Sequence, residues 1–167
     1  MGTSAGGNEM GLKLPPLVKY DDFNSDNEFL DLLYVYFTQD FINSKPIYKE
    51  NELRLKRYPL REEKEATFYH ITTKGDNEST REIDVPRAER IRWIKPIIES
   101  NDKILKIWEN ERKKKQVERS ILIFLEKENF LIVIRKRTGF LLFYTSFYVT
   151  ECYKKSLLRE YENYIKN

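Results

Sequence analysis

Apolar residues recur at helical spacing near both ends of the chain, and this pattern predicts two amphipathic helices. The first covers residues 26–44, where Asp26 can cap the start and Lys45-Pro46 ends the pattern. The second begins at about Glu151 and forms a C-terminal helix. The apolar positions of the C-terminal helix are Tyr153, Leu157, Tyr161 and Ile165.

Between these helices, three segments are rich in β-branched and aromatic residues, which predicts strands. They cover residues 121–125, 130–134 and 140–149, and the short turns between them predict an antiparallel meander. Apolar residues occupy both alternating sets of positions, so we expect the sheet to be covered on both faces. Weaker patterns predict a strand at residues 53–56 and a short helix at residues 104–108.

The only histidine of the chain, His70, lies in a segment that alternates like a strand. Over residues 66–73, alternation places His70 on the same strand face as Phe68. The dipeptide Lys74-Gly75 then indicates a turn, and a polar loop follows.

A helix start comes after this loop, because Asp84 suits the cap position and Pro86 suits the first turn. At helical spacing Arg87 lies on the same face as the apolar residue Ile91. A guanidinium on an apolar face needs a carboxylate or an opening into a cleft, since an unpaired buried charge is costly. Pro96 removes one helical hydrogen bond, so we expect a kink in this central helix.

These patterns predict an α+β fold: an antiparallel meander sheet with N-terminal and C-terminal helices and a central kinked helix. At 167 residues the chain is long enough for one domain with a proper core. We expect this single domain over residues 21–167, after a flexible leader over residues 1–20.

The composition excludes some classes of protein. Hydrophobic residues make up 40% of the chain, which excludes a disordered protein. No apolar run approaches the roughly 20 residues of a membrane helix. The net charge of +3 permits an anionic partner without demanding one. The only cysteine, Cys152, suits a reducing, cytoplasmic compartment. Because the chain has one histidine and one cysteine, its sequence predicts no zinc cluster. We therefore expect neither a metal nor a cofactor.

His70 has two interpretations. As a general acid or base it fits proton transfer, because an unperturbed imidazole titrates at about pH 6.5. The alternative is a hydrogen-bonded core histidine without a chemical role.

Arginines cluster around the predicted helix start, where a helix N-terminus already favours anions. Planar guanidinium donors match phosphate oxygens. The alternative is an exposed helix face whose arginines pair with neighbouring glutamates. Arg87 escapes this alternative best, because it lies on the apolar face. The clustered arginines are Arg81, Arg87, Arg90 and Arg92.

Hydroxyl groups lie near the end of the last predicted strand. Thr145 and Ser146 can hold a phosphate, and Tyr148 can stack on a base, although packing explains the tyrosine equally well. Together with the imidazole and the guanidiniums, they make a metal-independent ribonuclease chemically coherent. A base removes the proton of a ribose 2′-hydroxyl, the oxygen attacks the adjacent phosphate, and cationic groups stabilise the resulting charge.

Three motifs carry a family resemblance: FYHIT at residues 68–72, VPRAERIRWI at 85–94 and FYTSFYV at 143–149. Through them, residues 67–150 resemble the nuclease toxins of the barnase, EndoU, colicin and RelE type, particularly members from phage and mobile elements. The resemblance implies an endoribonuclease with helices packed on one face of an antiparallel sheet.

The resemblance also implies roles for individual residues. His70 matches the catalytic histidine, and Arg87 or Arg90 matches the phosphate-binding arginine. Thr145 matches the threonine of the closing strand, with Tyr148 beside it. The substrate-binding residues expected around these are Lys74, Arg81, Arg92 and Ser146.

The implied substrate is RNA, with tRNA as one candidate, and such toxins often pair with an immunity protein or antitoxin. The alternative is a non-catalytic RNA-binding or protein-interaction module on a degenerate nuclease fold. In that case the lysine run at residues 113–115 and the tyrosines would carry binding, and His70 would be structural.

Overall fold

The computed structural model describes residues 11–77 and 80–167 and shows the expected α+β fold. The helices are α1 (Asp26–Phe37), α2 (Ala66–Thr72), α3 (Val85–Ala88), α4 (Ile94–Glu99) and α5 (Glu151–Lys166). The strands are β1 (Ile47–Tyr48), β2 (Asn51–Glu52), β3 (Thr73–Lys74), β4 (Glu82–Ile83), β5 (Lys106–Lys113), β6 (Val117–Leu125), β7 (Phe130–Arg137) and β8 (Phe140–Tyr148).

Strands β5 to β8 form a four-stranded antiparallel sheet in chain order. Strands β6 to β8 confirm the predicted meander of three strands, whereas β5 is a further strand that the sequence patterns do not predict. The short helix expected at residues 104–108 is wrong, because most of that segment belongs to the turn before β5 and to β5 itself. The sequence of β5 is mostly polar because β5 is an edge strand of which only one face is covered. Trp108 is buried there, whereas the next residue, Glu109, is exposed.

Both faces of the sheet are covered, as the alternation predicts. Ile121 and Ile123 of β6 belong to a large core that includes residues of α1, α2 and α4. The intervening Leu122 and Phe124 belong to a smaller core with Leu157 of α5. Among the described helices, most therefore lie on one face of the sheet, and α5 packs on the other.

Helix α1 confirms the N-terminal amphipathic helix and continues as one wider turn over Thr38–Ile42. Its cap is Ser25, whose side chain accepts a hydrogen bond from the backbone N–H of Glu28, and not Asp26. A serine hydroxyl satisfies an otherwise unpaired N–H of the first turn.

Part of the expected flexible leader is packed. The backbone N–H of Leu12 donates to Asp102 Oδ2 at 2.8 Å, and Val18 is buried in the core. The expectation of a flexible leader is therefore wrong for residues 11–20, whereas residues 1–10 lie outside the described part of the chain.

Residues 66–73 form helix α2 and the start of β3, so the predicted strand carrying His70 is wrong. Nearly every side chain of α2 is buried, including Thr67 and Thr72, so the alternation is not that of a half-buried strand. The hydroxyl of Thr72 donates to the carbonyl oxygen of Phe68 at 2.8 Å, which satisfies it within the helix. Burial on all sides overrides the strand propensity of β-branched and aromatic residues.

The strand predicted at residues 53–56 is reduced to a single bridge. The N–H of Arg54 donates to the carbonyl oxygen of Leu141 at 3.0 Å, and the N–H of Phe143 donates to that of Arg54 at 2.8 Å. This bridge covers the outer edge of β8 near Leu142.

The central helix is divided into α3 and α4, joined by a tight turn over Ile91–Trp93. Asp84 caps α3 as predicted, with its Oδ1 accepting the N–H of Arg87 at 3.4 Å. The expected kink at Pro96 is wrong in position, because Pro96 lies in the first turn of α4. There a residue has no intrahelical partner for its N–H, so proline removes nothing.

Candidate functional site

A cleft of about 260 Å³ lies between the end of α2, the β3–β4 hairpin, the first turn of α3 and strand β8. The cleft opens beyond the bridge between Arg54 and Leu142, where this bridge no longer covers the outer edge of β8. Five residues predicted from the sequence meet in it, together with a glycine and two aromatic residues. The residues that line this cleft are His70, Lys74, Gly75, Arg81, Arg87, Tyr144, Thr145 and Phe147.

A β-bulge at Tyr144 shapes the wall formed by β8. Val133 of β7 is opposite Thr145, and Ile134 is opposite Phe143, so Tyr144 is the extra residue. The bulge allows Tyr144 and Thr145 to line the cleft together while Phe143 stays in the large core. Bulges of this kind re-aim side chains next to functional sites.

His70 lies in the last turn of α2, half-buried, with its ring in the wall of the cleft. Its backbone carbonyl oxygen accepts two hydrogen bonds, from Arg87 Nη1 at 2.6 Å and from Thr145 Oγ1 at 3.1 Å. The centroid of its ring lies 6.1 Å from that of Tyr144. The backbone of His70 is therefore anchored to both neighbouring elements, and the imidazole shares an open cleft with the Arg87 guanidinium.

Arg87 is 7% exposed, as its position on the apolar helix face predicts. Its Nη1 also donates to the carbonyl oxygen of Thr73 at 2.9 Å, and its Nε lies 3.6 Å from Asp84 Oδ2. Burial lowers the pKa of the guanidinium, and Asp84 partly offsets this. The guanidinium carbon lies 4.5 Å from the centroid of the Phe147 ring. Its hydrogen bonds to described residues use Nη1, so Nη2 makes none among them, and the buried Nε has no hydrogen-bond partner there either.

Arg81 spans the β3–β4 hairpin and uses its donors on the hairpin itself. Its Nε donates to Thr73 Oγ1 at 2.7 Å, its Nη2 to the carbonyl oxygen of Thr73 at 2.6 Å, and its Nη1 to that of Gly75 at 2.7 Å. Gly75 has a φ of 129°, which favours glycine, and a Cβ there would lie 3.4 Å from the Cα of Arg81. Arg81 thus stabilises the hairpin and contributes positive charge to the cleft.

The electrostatic character of the cleft is cationic. Lys74, which is exposed, joins Arg81 and Arg87 in its lining, and no carboxylate is among the described lining residues. The N-terminus of α3 does not add an anion site, because Asp84 already caps it. An anion in this cleft would meet the imidazole and the three cations together.

Four predicted site residues lie outside this lining. Arg90 donates from Nη1 to the carbonyl oxygen of Pro86, and its guanidinium stacks over Tyr148 at 4.3 Å. Arg92 stacks over Tyr36 at 4.5 Å, and Ser146 is fully buried. The residues that the structure does not bring into the cleft are Arg90, Arg92, Ser146 and Tyr148.

A second depression, here called the sheet concavity, adjoins the cleft on the α5 face of the sheet and has a volume of about 220 Å³. Apart from Thr145 and the basic run that includes Arg112 and Lys114, the sequence does not indicate its residues, because only the register of β5 to β8 shows which side chains share this face. Arg135 pairs with Glu118 there, and its guanidinium lies 4.0 Å from the centroid of the Tyr144 ring. The sheet concavity is lined by Asn110, Arg112, Lys114, Glu118, Ser120, Leu122, Val133, Arg135, Tyr144, Thr145, Phe147 and Tyr153.

Comparisons with protein-family models, with curated proteins and with solved structures find no match for this chain. The class of protein is defined here by the fold and the cleft. It is an α+β protein with a cationic, histidine-containing cleft beside the last strand of an antiparallel sheet. Within the described residues, no group of three or more His, Cys, Asp or Glu is placed to hold a metal ion. None of the described helices is long and apolar enough to span a bilayer.

Proposed function

We propose that this protein is a toxin-like, metal-independent endoribonuclease that cleaves RNA by attack of a ribose 2′-hydroxyl on the adjacent phosphate. The observation that carries the proposal is the meeting of His70, Lys74, Arg81 and Arg87 in one open cleft. An imidazole can move a proton near neutral pH, and cationic donors match the charge of a phosphate.

The backbone contacts around the cleft support a division of labour in this reaction. Thr145 and Arg87 fix the main chain of His70, which positions its ring as the general acid or base. The neutral imidazole of His70 takes the proton of the 2′-hydroxyl as its oxygen bonds to phosphorus. The bond from phosphorus to the 5′-oxygen breaks, and this oxygen takes up a proton from the imidazolium or from water, so the product is a 2′,3′-cyclic phosphate. Arg87 Nη2, which none of the described Arg87 hydrogen bonds uses, and the exposed Lys74 are the donors available to the phosphorane oxygens.

The second candidate is a non-catalytic RNA-binding or protein-interaction module on the same fold. One observation favours it: Arg81 donates to Thr73 Oγ1 and to backbone carbonyl oxygens, and Nη1 of Arg87 donates to backbone carbonyl oxygens, so these donors serve the fold. For either candidate we propose RNA, tRNA included, as the ligand and an immunity protein or antitoxin as a possible protein partner.

Cleavage in EDTA separates the two candidates. Purified protein is incubated with a short RNA and with the same RNA carrying one 2′-deoxyribose at the cleaved position. The enzyme is expected to cut the first, to leave a 2′,3′-cyclic phosphate, and to spare the second, because the nucleophile is missing. Binding of the RNA without turnover would favour the binding module.

A further inference from the structure

We propose that the sheet concavity is a subsite for one unpaired nucleobase, so that single-stranded RNA is the substrate class of the cleft. This proposal rests on the proposed function, since it takes the RNA backbone to lie in the cleft. The two depressions share Tyr144, Thr145 and Phe147, so they form one continuous surface. A base on the ribose next to the scissile phosphate would enter the sheet concavity directly.

The walls of the sheet concavity suit a flat, largely apolar group. Leu122 and Val133 are buried beneath it. The stacked pair of Arg135 and Tyr144 forms a planar side. Nucleobases that are not paired stack on aromatic rings and on guanidinium planes.

Two buried polar atoms in this lining have no hydrogen-bond partner among the described residues: Asn110 Oδ1, an acceptor, and Arg135 Nε, a donor. Buried polar groups in folded proteins are normally paired, so these atoms indicate a missing partner. The edge of a nucleobase carries donors and acceptors side by side and can satisfy both kinds of group. In a duplex the pairing edge of each base is already engaged, so a paired base would not fit this role.

The charges of the sheet concavity favour a base over a second phosphate. Arg135 is paired with Glu118, and Arg112 Nη2 donates to Glu160 Oε1 at 2.6 Å. These pairs neutralise two of its cations. In the cleft only Arg87 has a carboxylate near it among the described residues, Asp84 at 3.6 Å, whereas Lys74 and Arg81 form no ion pair with any described residue. The phosphate therefore belongs in the cleft and the base beside it.

The test is the binding of a fluorescein-labelled, fully 2′-O-methylated octaribonucleotide, which cannot be cleaved through its 2′-oxygens, followed by fluorescence anisotropy. We expect the single strand to bind at least about tenfold more tightly than the same strand in a duplex, and a central abasic position to weaken binding by a similar factor. Asn110→Ala removes the acceptor together with the bond that Asn110 Nδ2 donates to Glu160 Oε2, and Ser120→Leu fills the sheet concavity without touching that bond. Each should weaken single-strand binding by about tenfold.

Arg119→Gln is the matched control, because Arg119 neighbours Ser120 on β6 but pairs with Glu111 outside the sheet concavity. It should change the affinity much less than Ser120→Leu. Thermal unfolding verifies that each variant is folded. If Ser120→Leu does not fold, the affinity of the wild-type protein for the abasic strand tests the base subsite instead.

Equal affinity for single strand and duplex, no effect of the abasic position, or no binding by the wild type would overturn the subsite. Base-dependent binding without RNA cleavage would leave the subsite standing and remove the ribonuclease. RNA cleavage by the wild type, together with unchanged RNA binding by both variants, would leave the ribonuclease standing and overturn the subsite.

Discussion

His70 has two separable contributions, because its backbone and its side chain point to different partners. The carbonyl oxygen is held by Arg87 and Thr145, while the ring lies in the wall of the cleft. Thr145, predicted as a site residue from its place on the last strand, therefore acts first as a positioning residue.

Thr145→Val tests this role at the residue scale. Valine has nearly the shape of threonine but cannot donate to the carbonyl oxygen of His70, so the free energy of unfolding should fall by about 1 kcal/mol. Urea denaturation measures this change, with Thr138→Val in the exposed β7–β8 turn as the control. Equal losses of stability in the two variants would show that the bond to His70 contributes nothing.

Helix α5 packs on the sheet through the smaller core, and one carboxylate of this helix also bonds to the edge strand β5. Glu160 Oε2 accepts from Trp108 Nε1 at 2.6 Å and from Asn110 Nδ2 at 3.0 Å, and Oε1 accepts from Arg112. These bonds bring together β5 and α5, so the α5 side of the sheet concavity depends on them.

Glu160→Ala should destabilise the protein by about 1–3 kcal/mol, because it leaves the N–H of the buried Trp108 without its partner. Denaturant unfolding followed by tryptophan fluorescence measures the change. Glu162→Ala, on an exposed position of the same helix, should leave stability nearly unchanged. An unaltered unfolding midpoint for Glu160→Ala would contradict the anchoring role.

The packed segment 11–20 gives a prediction about pH. Backbone N–H groups of Leu12 and Ile104 donate to the Asp102 carboxylate and lower its pKa. Because the folded pKa lies below the unfolded one, this stabilisation is present above about pH 3.9 and is lost as the pH falls through the folded pKa.

The unfolding temperature of the wild type should therefore fall more steeply in this acid range than that of Asp102→Asn, which has no carboxyl group to titrate. Thermal unfolding across the range checks this. Parallel curves for the two proteins would show that Asp102 does not hold the segment through its charge.

Sequence patterns at the element scale resolve strands β6 to β8 well, and β5 and α2 poorly. In β6 and β7 the runs of β-branched and other large apolar residues are unbroken over residues 121–125 and 130–134, and antiparallel pairing follows from short turns. For α2 the short FYHIT run suits a strand or a helix equally, and the choice depends on burial against α1 and β8, which are distant in sequence.

The candidate site can likewise be predicted from the sequence only in part. Asp84 and the apolar position of Arg87 are visible locally, so the helix start and the buried guanidinium are predictable. The bulge at Tyr144 depends on the register of β8 against β7, and Asn110 and Arg135 meet only through the sheet. No local pattern contains these relations.

At the scale of the whole molecule, the net charge of +3 is modest, and three cations, Lys74, Arg81 and Arg87, line the cleft. Binding of single-stranded RNA there should weaken as salt rises, with a slope of log K against log salt of about −2 for three neutralised phosphates. Titrations of a non-cleavable RNA at several salt concentrations measure the slope. Affinity that does not change with salt would contradict binding of a polyanion in the cleft.

The most direct test of the central claim compares the wild type with His70→Gln for cleavage of single-stranded RNA in EDTA. Glutamine keeps the backbone contacts of residue 70 but cannot act as a general acid or base near neutral pH. We predict a loss of rate of about 10²- to 10⁴-fold, with little change in the unfolding temperature. Equal rates for the two proteins, or a folded wild type that leaves RNA intact, would contradict the claim.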